Sequence, residues 1–237
     1  MTSPAVDTAA SPKTRAARID VAPLERADHA DYLALLALTT SGEGVPPGAD
    51  QIIILPPLRP PFTHGPALCL TARLRRSTNP KPVGAIFASL PDWAHEHPLT
   101  QNDPALSELI SRTAILIYGL AVTPHRRRQG IARTLLTAAE DTARSSGYRL
   151  ATLIHEPELA PFYRRLGYTS AHHVTVPMPD AALGITQHPP FMTAVKALHP
   201  GVQVRTVPGA PGAVVTGLLP GWNLPPTARF KNGELIA

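Results

Sequence analysis

The sequence predicts a mixed α/β (α+β) fold, and two stretches of the chain carry that prediction. The first begins with Ala114–Val122, nine residues without a charge that are typical of a buried strand, and continues through a helical segment at 130–146 to a strand at 148–154. Strand, helix and strand of this length form a crossover unit with parallel strands. The second stretch has two apolar runs, 67–74 and 83–90, around a polar turn, which predict an antiparallel hairpin.

Shorter elements are predicted on the N-terminal side of the crossover unit. Residues 1–16 are rich in Ala, Ser, Thr and Pro and are expected to be a disordered tail. A strand is predicted at 18–21 and a helix from Asp28, as N-cap, to about Leu38. Residues 91–103 are predicted to be a loop. Its ionisable cluster would line a pocket or lie on a polar surface, and it consists of Asp92, His95, Glu96 and His97.

Beyond the crossover unit, the patterns predict a helix at 157–166, a strand at 168–178, a loop at 179–190 and a strand at 191–198. Within the 130–146 helix, Glu140 and Arg144 are expected to form an exposed i,i+4 ion pair. Gly and Pro recur after residue 198. Residues 199–237 are therefore predicted to be an extension, packed on a domain at 17–198 or at a homodimer interface, with a tight hairpin on Asn232-Gly233.

Charge and composition exclude several classes of function. The net charge of +5 suits either a nucleic acid or a small polyanion. The basic residues form no long stripe with interleaved aromatics, so no nucleic acid is expected as a partner. Cys69 is the single cysteine, which excludes a disulfide framework and a cysteine metal site; no metal is expected. Without an apolar signal segment or membrane span, the expected protein is cytoplasmic and has no membrane partner.

A basic turn, Thr123–Gln129, lies between the uncharged strand and the helix. The residues Arg127-Arg128-Gln129-Gly130-Ile131-Ala132 have the spacing Arg-x-x-Gly-x-Ala. The first amides of a helix lack partners within the helix, and the helix dipole favours anions there. Gly130 would let a phosphate approach the backbone, and the small Ala132 would keep the first turn open. The segment predicts a phosphate site, with a solvated arginine-rich turn as the alternative.

A second segment indicates which anion the phosphate site would bind. Phe162-Tyr163-Arg164-Arg165-Leu166-Gly167-Tyr168 lies about thirty residues further on, and Leu120-Ala121-Val122 ends the strand before the basic turn. Together with the Arg-x-x-Gly-x-Ala loop, these motifs closely resemble the GNAT superfamily of acetyl-CoA-dependent N-acetyltransferases over about residues 114–170. The resemblance implies acetyl-CoA as co-substrate. It also implies a GNAT-like central mixed, mostly antiparallel sheet of about six to seven strands flanked by helices.

The resemblance also implies roles for individual residues. The backbone amides of residues 128–133 would hold the pyrophosphate, and the main chain of residues 120–122 would pair with the pantetheine. Tyr163 matches a tyrosine that relatives often place near the thioester sulfur, where a phenol can donate a proton to the departing thiolate. A strand N–H near Leu120 would stabilise the oxyanion. The cofactor-binding residues implied are Leu120, Ala121, Val122, Arg127, Arg128, Gln129, Gly130, Ile131, Ala132 and Arg133.

The general base is left open by the sequence. The strand 114–122 carries no Glu or His, which departs from relatives with a base on this strand. His155 and Glu156, just after the crossover strand, are the nearest candidates. For His155 the alternative is a solvated turn histidine, and for Tyr163 it is an aromatic that packs between helix and sheet.

The activity implied is transfer of an acetyl group from acetyl-CoA to a primary amine, most simply of a small molecule, by direct attack on the thioester. Two alternatives stay open. The acceptor amine could belong to a protein or peptide. The missing strand base would also suit a catalytically inactive, CoA-binding regulatory module.

Overall fold

The structure is a computed structural model that describes residues 19–39, 44–75, 81–178, 182–231 and 234–236. The predicted tail at 1–16, Arg18 and the Asn232-Gly233 turn lie outside these ranges. In chain order the helices are α1 (His29–Leu36), α2 (Ala49–Ile52), α3 (Trp93–Glu96), α4 (Pro98–Gln101), α5 (Pro104–Thr113), α6 (Ile131–Ser145) and α7 (Ala160–Arg165). Short 3-10 helices lie at Arg26–Asp28, Pro124–Arg126 and Pro157–Leu159.

The strands are β1 (Ile19–Pro23), β2 (Ala67–Leu74), β3 (Gly84–Ser89), β4 (Ala114–Val122), β5 (Leu150–His155), β6 (Thr169–Ala171), β7 (His173–Pro177), β8 (Ala182–Thr186), β9 (Met192–Ala197), β10 (Gln203–Thr206), β11 (Ala213–Thr216), β12 (Arg229–Lys231) and β13 (Glu234–Ile236). Seven of them form the main sheet in the order β1-β2-β3-β4-β5-β9-β6. Only β4 and β5 pair in parallel; every other pairing in this sheet is antiparallel. The predicted mixed, mostly antiparallel sheet is confirmed.

The main sheet opens between its two parallel strands. β4 and β5 pair only from Ala114–Ile117 and Leu150–Leu153. Beyond these residues β4 pairs with β3 alone, and β5 pairs with β9 alone. β4 also carries a bulge at Tyr118, because Phe87 pairs with Gly119 while Ala88 pairs with Ile117. A bulge bends its strand and raises the local twist, so the C-terminal half of β4 diverges from β5.

Helices cover both faces of this sheet. On one face α6 buries Ile131, Leu135 and Leu136 against β2, β3 and β4. On the other face α1 buries Tyr32 and Leu36 against Phe87 and its neighbours. In the described ranges of the chain, no helix is long and apolar enough to span a membrane.

Two predicted loops contain regular structure. Residues 91–103 form α3 and α4, because Asp92 accepts a hydrogen bond from the N–H of Trp93 and His97 Nδ1 accepts one from the N–H of Leu99. Residues 179–190 were expected to be a loop, yet they contain β8, which pairs with β7 and buries Leu183 and Ile185. Both loop predictions are wrong, since local caps and a two-residue alternation outweigh the surrounding prolines.

The single strand predicted at 168–178 is also wrong. It divides at His172 into β6, at the edge of the main sheet, and β7, in a second sheet of order β10-β11-β7-β8. β10 and β11 come from residues 199–237, and β11 pairs in parallel with β7. Val202, Val215 and Leu219 join Val174 and Leu183 in one apolar cluster. Strands from both sides of residue 198 therefore share a sheet and a core.

The exposed ion pair predicted between Glu140 and Arg144 is not formed. Glu140 is only 5% exposed; its carboxylate accepts hydrogen bonds from the Tyr168 hydroxyl, at 2.9 Å, and from Lys196 Nζ on β9. The Lys196 ammonium also lies 5.4 Å from the Tyr168 ring centroid. Arg144 instead pairs with Asp141 at the surface. A carboxylate can be buried only with such partners, and these partners lie far away in sequence.

Replacement of Glu140 by Ala should lower the free energy of unfolding by about 3 kcal/mol, because it leaves the ammonium of Lys196, whose side chain is 22% exposed, without its buried partner. Urea denaturation measures the effect. The matched control is Asp141→Ala on the same helix, whose surface ion pair should be worth less than about 1 kcal/mol. Equal losses in the two variants would contradict the structural role given to Glu140.

Candidate active site

A cavity of about 700 Å³ occupies the opening between β4 and β5. It brings together twelve of the thirteen residues predicted for the site. Those that line it are Leu120, Ala121, Val122, Arg127, Arg128, Gly130, Ile131, Ala132, Arg133, His155, Glu156 and Tyr163. Gln129, the thirteenth, lies in the same turn but does not line the cavity.

The basic turn and the first turn of α6 form one end of the cavity. Gly130 is the N-cap of α6 with φ of 83°, and Arg128 has φ of 62°. A Cβ added at Gly130 would meet no atom within 4 Å, so the space in front of it is open. Within the described ranges, no backbone carbonyl accepts a hydrogen bond from the N–H of Arg128, Gln129 or Gly130. Together with the first amides of α6, these donors form a candidate anion site.

A close contact on β3 positions this end of α6. A Cβ added at Gly84 would lie 2.9 Å from both Ile131 Cγ2 and Leu135 Cδ1, and 3.1 Å from the carbonyl oxygen of Ala121. Glycine at this position therefore lets the first turn of α6 lie directly against β3 and β4. The free amides of the helix consequently lie beside the end of β4.

Five arginines line the cavity: Arg126, Arg127, Arg128, Arg133 and Arg165. Across the described part of the chain, none of them forms an ion pair. Arg127 Nε donates to the carbonyl oxygen of Val122 at 3.3 Å, and Arg126 Nε is buried without a partner in the described structure. Such an arrangement favours a ligand with several negative charges. Sequence reasoning missed Arg126 and Arg165 as cavity residues, although both lie inside the motifs that it used.

Tyr163 is buried in an aromatic group near the middle of the cavity. Its ring centroid lies 5.0 Å from those of Phe162 and His155 and 5.8 Å from that of Tyr168. Burial, and next the charge of Glu156, raise the pKa of Tyr163 to about 12, so the side chain stays a neutral phenol at physiological pH. Among the described residues, none hydrogen-bonds its hydroxyl. Tyr163 therefore combines a packing role with a free donor.

His155 is 3% exposed and both of its ring nitrogens are engaged, so it is not a solvated turn histidine. Nδ1 lies 2.6 Å from the carbonyl oxygen of Glu156 and Nε2 lies 2.8 Å from Ser170 Oγ. A carbonyl oxygen only accepts, so Nδ1 carries the proton. In the neutral ring Nε2 then accepts from the Ser170 hydroxyl. The lone pair that a general base would use is occupied.

Glu156 is half-buried and lines the cavity. Of the described residues that line it, Glu156 is the one with a carboxylate. The five guanidinium groups and this carboxylate give the cavity charges of both signs. An anionic cofactor and a cationic acceptor could therefore occupy the same cavity.

A family model described as an acetyltransferase (GNAT) domain matches residues 82–170. This range runs from β3 to β6 and holds both the basic turn and Tyr163. The chain carries a GNAT acetyltransferase domain. The domain is that of an acyltransferase, and the resemblance inferred from the motifs is confirmed. No curated protein matches the chain.

Solved structures share the fold of this GNAT domain at low sequence identity. The NatC complex bound to Gag peptide and CoA matches with a TM-score of 0.52 and 16% identity, over 76% of this chain and 99% of that chain. A GNAT family acetyltransferase from Staphylococcus aureus Mu50 matches with a TM-score of 0.50 and 12% identity, over 77% of this chain and 100% of that chain. These likenesses confirm the predicted fold class.

The ionisable cluster before β4 lies outside the cavity of the GNAT domain. His95 hydrogen-bonds Ser107 and Ser111, His97 caps α4, and the N–H of Asp92 donates to the Tyr118 hydroxyl at 3.1 Å. Within the described ranges, no group of three or more His, Cys, Asp or Glu could hold a metal ion. The cluster therefore supports the wall of the site through Tyr118.

Replacement of Ser170 by Ala should lower the free energy of unfolding by about 1–2 kcal/mol, because it leaves the buried Nε2 of His155 without its donor. Urea denaturation of the full chain measures the loss. The control is Ser145→Ala, which removes an exposed hydroxyl at the end of α6 and should change stability by less than about 0.5 kcal/mol. If Ser170→Ala is as stable as the control, the hydrogen bond to His155 is not formed.

Proposed function

We propose that this chain is an N-acetyltransferase that transfers the acetyl group of acetyl-CoA to a primary amine of a small molecule. The observation that carries the proposal is that one cavity joins the anion site of α6 to Tyr163 through the opening of the sheet. A volume of about 700 Å³ is within the range of small-molecule sites. The amine of a protein or peptide is the alternative acceptor.

The cofactor would bind along the free edge of β4. Its pyrophosphate would accept hydrogen bonds from the amides of residues 128–133, and the cavity arginines would neutralise its phosphates. The edge of Leu120–Val122 that faces β5 has no strand partner among the described residues. Pantetheine contains amide groups, so it would pair with this edge as an added strand does.

The acetyl transfer would begin with attack of the amine nitrogen on the thioester carbonyl carbon. The carbon–oxygen double bond opens, and the N–H near Leu120 would stabilise the resulting oxyanion. The carbonyl then re-forms as the carbon–sulfur bond breaks and the sulfur leaves as a thiolate. With its pKa at about 12, Tyr163 holds its proton more tightly than a thiol with an ordinary pKa of about 8.5. Tyr163 would therefore stabilise the thiolate as a hydrogen-bond donor.

Glu156 is the general base in this proposal. It lines the cavity, whereas the ring nitrogens of His155 are engaged with the Glu156 carbonyl and Ser170. Glu156 would accept the proton that the amine loses, directly or through a water molecule. His155 would act as a positioning residue that holds the Glu156 backbone and packs on Tyr163.

Gly130→Glu should raise the dissociation constant for acetyl-CoA at least about 100-fold, measured by calorimetry, because it puts a negative charge where phosphates would bind. The matched control is Gly147→Glu at the other end of α6. Gly147 has φ of 89° and the same open space for a Cβ, so backbone strain of about 1–2 kcal/mol is common to both variants. Unchanged affinity in Gly130→Glu would exclude the phosphate site.

Tyr163→Phe should lower kcat about 100-fold and leave the dissociation constant for acetyl-CoA unchanged, since it removes only the donor to sulfur. Thiol release with a panel of amines measures kcat. The protonated phenol is the active form and its pKa is about 12, so Tyr163 should cause no loss of activity as the pH rises to about 11.

The control is Tyr148→Phe, a residue 3% exposed and outside the cavity, which should keep the activity of the wild type. Acetyl-CoA binding without turnover of any amine would favour the inactive module over the enzyme.

A further inference from the structure

Residues from both faces of the main sheet line the cavity. Ile117 and Leu153 belong to the core beneath α6. Tyr118 packs on the opposite side, against the core beneath α1. Side chains alternate along a strand, so Ile154 lies on the face opposite Leu153 and His155. The cavity also reaches Leu38 and Thr39, just beyond the end of α1. The cavity therefore extends to the α1 face, away from α6, and we call this part its second mouth.

This second mouth presents apolar surface. Leu38 is 46% exposed, Ile154 44% and Leu159 40%, and all three line the cavity. Of the eight large apolar side chains that are at least 40% exposed in the described structure, three thus line this one cavity, which favours a ligand that covers them.

The hydroxyl groups beside this surface already donate their protons within the protein. The Tyr118 hydroxyl donates to the carbonyl oxygen of Leu90 at 3.0 Å and accepts from the N–H of Asp92. The Thr39 hydroxyl donates to the carbonyl oxygen of Leu36 at 2.7 Å. Neither hydroxyl therefore has a proton left to donate to a ligand. Among the described residues of this mouth, a hydroxylated acceptor would find few side-chain donors and would lose hydrogen bonds to water.

The charges complement a single ammonium group. All five cavity arginines come from the basic turn, α6 and α7, and one carboxylate, that of Glu156, is present among the described lining residues. An acceptor with one amine would be drawn to this carboxylate. A second ammonium group would have no matching acid among those residues.

We propose that the acceptor is a monoamine with an apolar substituent next to the amine, and that Leu38, Ile154 and Leu159 bind that substituent. This proposal rests on the proposed function and names the substrate class of the same site. The amine would reach the thioester from the α1 face while the cofactor occupies the α6 face.

Amino acid amides test the proposal, because their reacting α-amines are alike and their side chains differ. With acetyl-CoA as donor, leucinamide should have a kcat/KM at least about tenfold above serinamide and lysinamide. In Ile154→Ser and in Leu159→Ser, the ratio of leucinamide to serinamide should fall to about threefold or less. Leu159 lies in a 3-10 helix, so its variant does not depend on how well serine is tolerated in β5.

The matched control is Ile54→Ser, the same substitution at an isoleucine that is 72% exposed and outside the cavity. It should keep the wild-type ratio. Equal or reversed ranking of the amides in the wild type, or an unchanged ratio in both cavity variants, would overturn the proposal. If no amide is acetylated, calorimetry on the CoA-saturated protein ranks the amides by affinity, and the same criteria are applied to that ranking.

The two proposals fail differently. If only the acceptor proposal is wrong, acetyl-CoA still binds, and Gly130→Glu still weakens that binding. A protein that does not bind acetyl-CoA at all would instead remove the proposed function, whatever the ranking of the amides.

Discussion

The rest of the structure depends on one constraint: β4 and β5 stop pairing after Ile117 and Leu153. Two parallel strands that stayed paired would fill the centre of the sheet. The bulge at Tyr118 bends β4 away, and the Tyr118 hydroxyl is held by Leu90 and Asp92. Without a partner, the backbone N–H and C=O groups of the unpaired strand edges would leave their hydrogen bonds unmade. A ligand with amide groups can satisfy them, which couples the opening to cofactor binding.

The opening also has charges of opposite sign in different parts of its lining. Most of the cavity arginines lie near the start of α6, where the free amides also favour anions, and Glu156 supplies a carboxylate at the end of β5. In the proposed reaction, a donor and an acceptor of opposite charge would therefore enter from different faces of the sheet and meet at Tyr163. Burial of Tyr163 among Phe162, His155 and Tyr168 keeps its phenol neutral and fixes its ring. In this proposal, binding and catalysis would both depend on one gap in the sheet.

Local sequence patterns predicted those parts of the candidate site whose structure depends on neighbouring residues. The turn before Gly130, the helix that follows it and Tyr163 each depend on a few neighbouring residues, so their sequence was sufficient. The opening could not be predicted, because it requires the register of β3 against β4. Leu38 and Ile154 belong to distant segments, and their place in one cavity depends on the path of α1. Glu140 showed the limit most clearly: its i,i+4 neighbour pointed to an exposed pair, while its true partner, Lys196, lies on β9.

The buried ion pair of Glu140 also explains how the anion site keeps its place. A buried pair is a weak source of stability, because both ions lose their hydration, but it strongly disfavours any arrangement that separates the partners. Glu140 and Lys196 join α6 to β9, and Gly84 lets the first turn of the same helix contact β3. α6 is thus attached to both sides of the opening. Tyr168 binds Glu140 and packs on Tyr163, so the helix that would hold the phosphates also sets the position of the phenol.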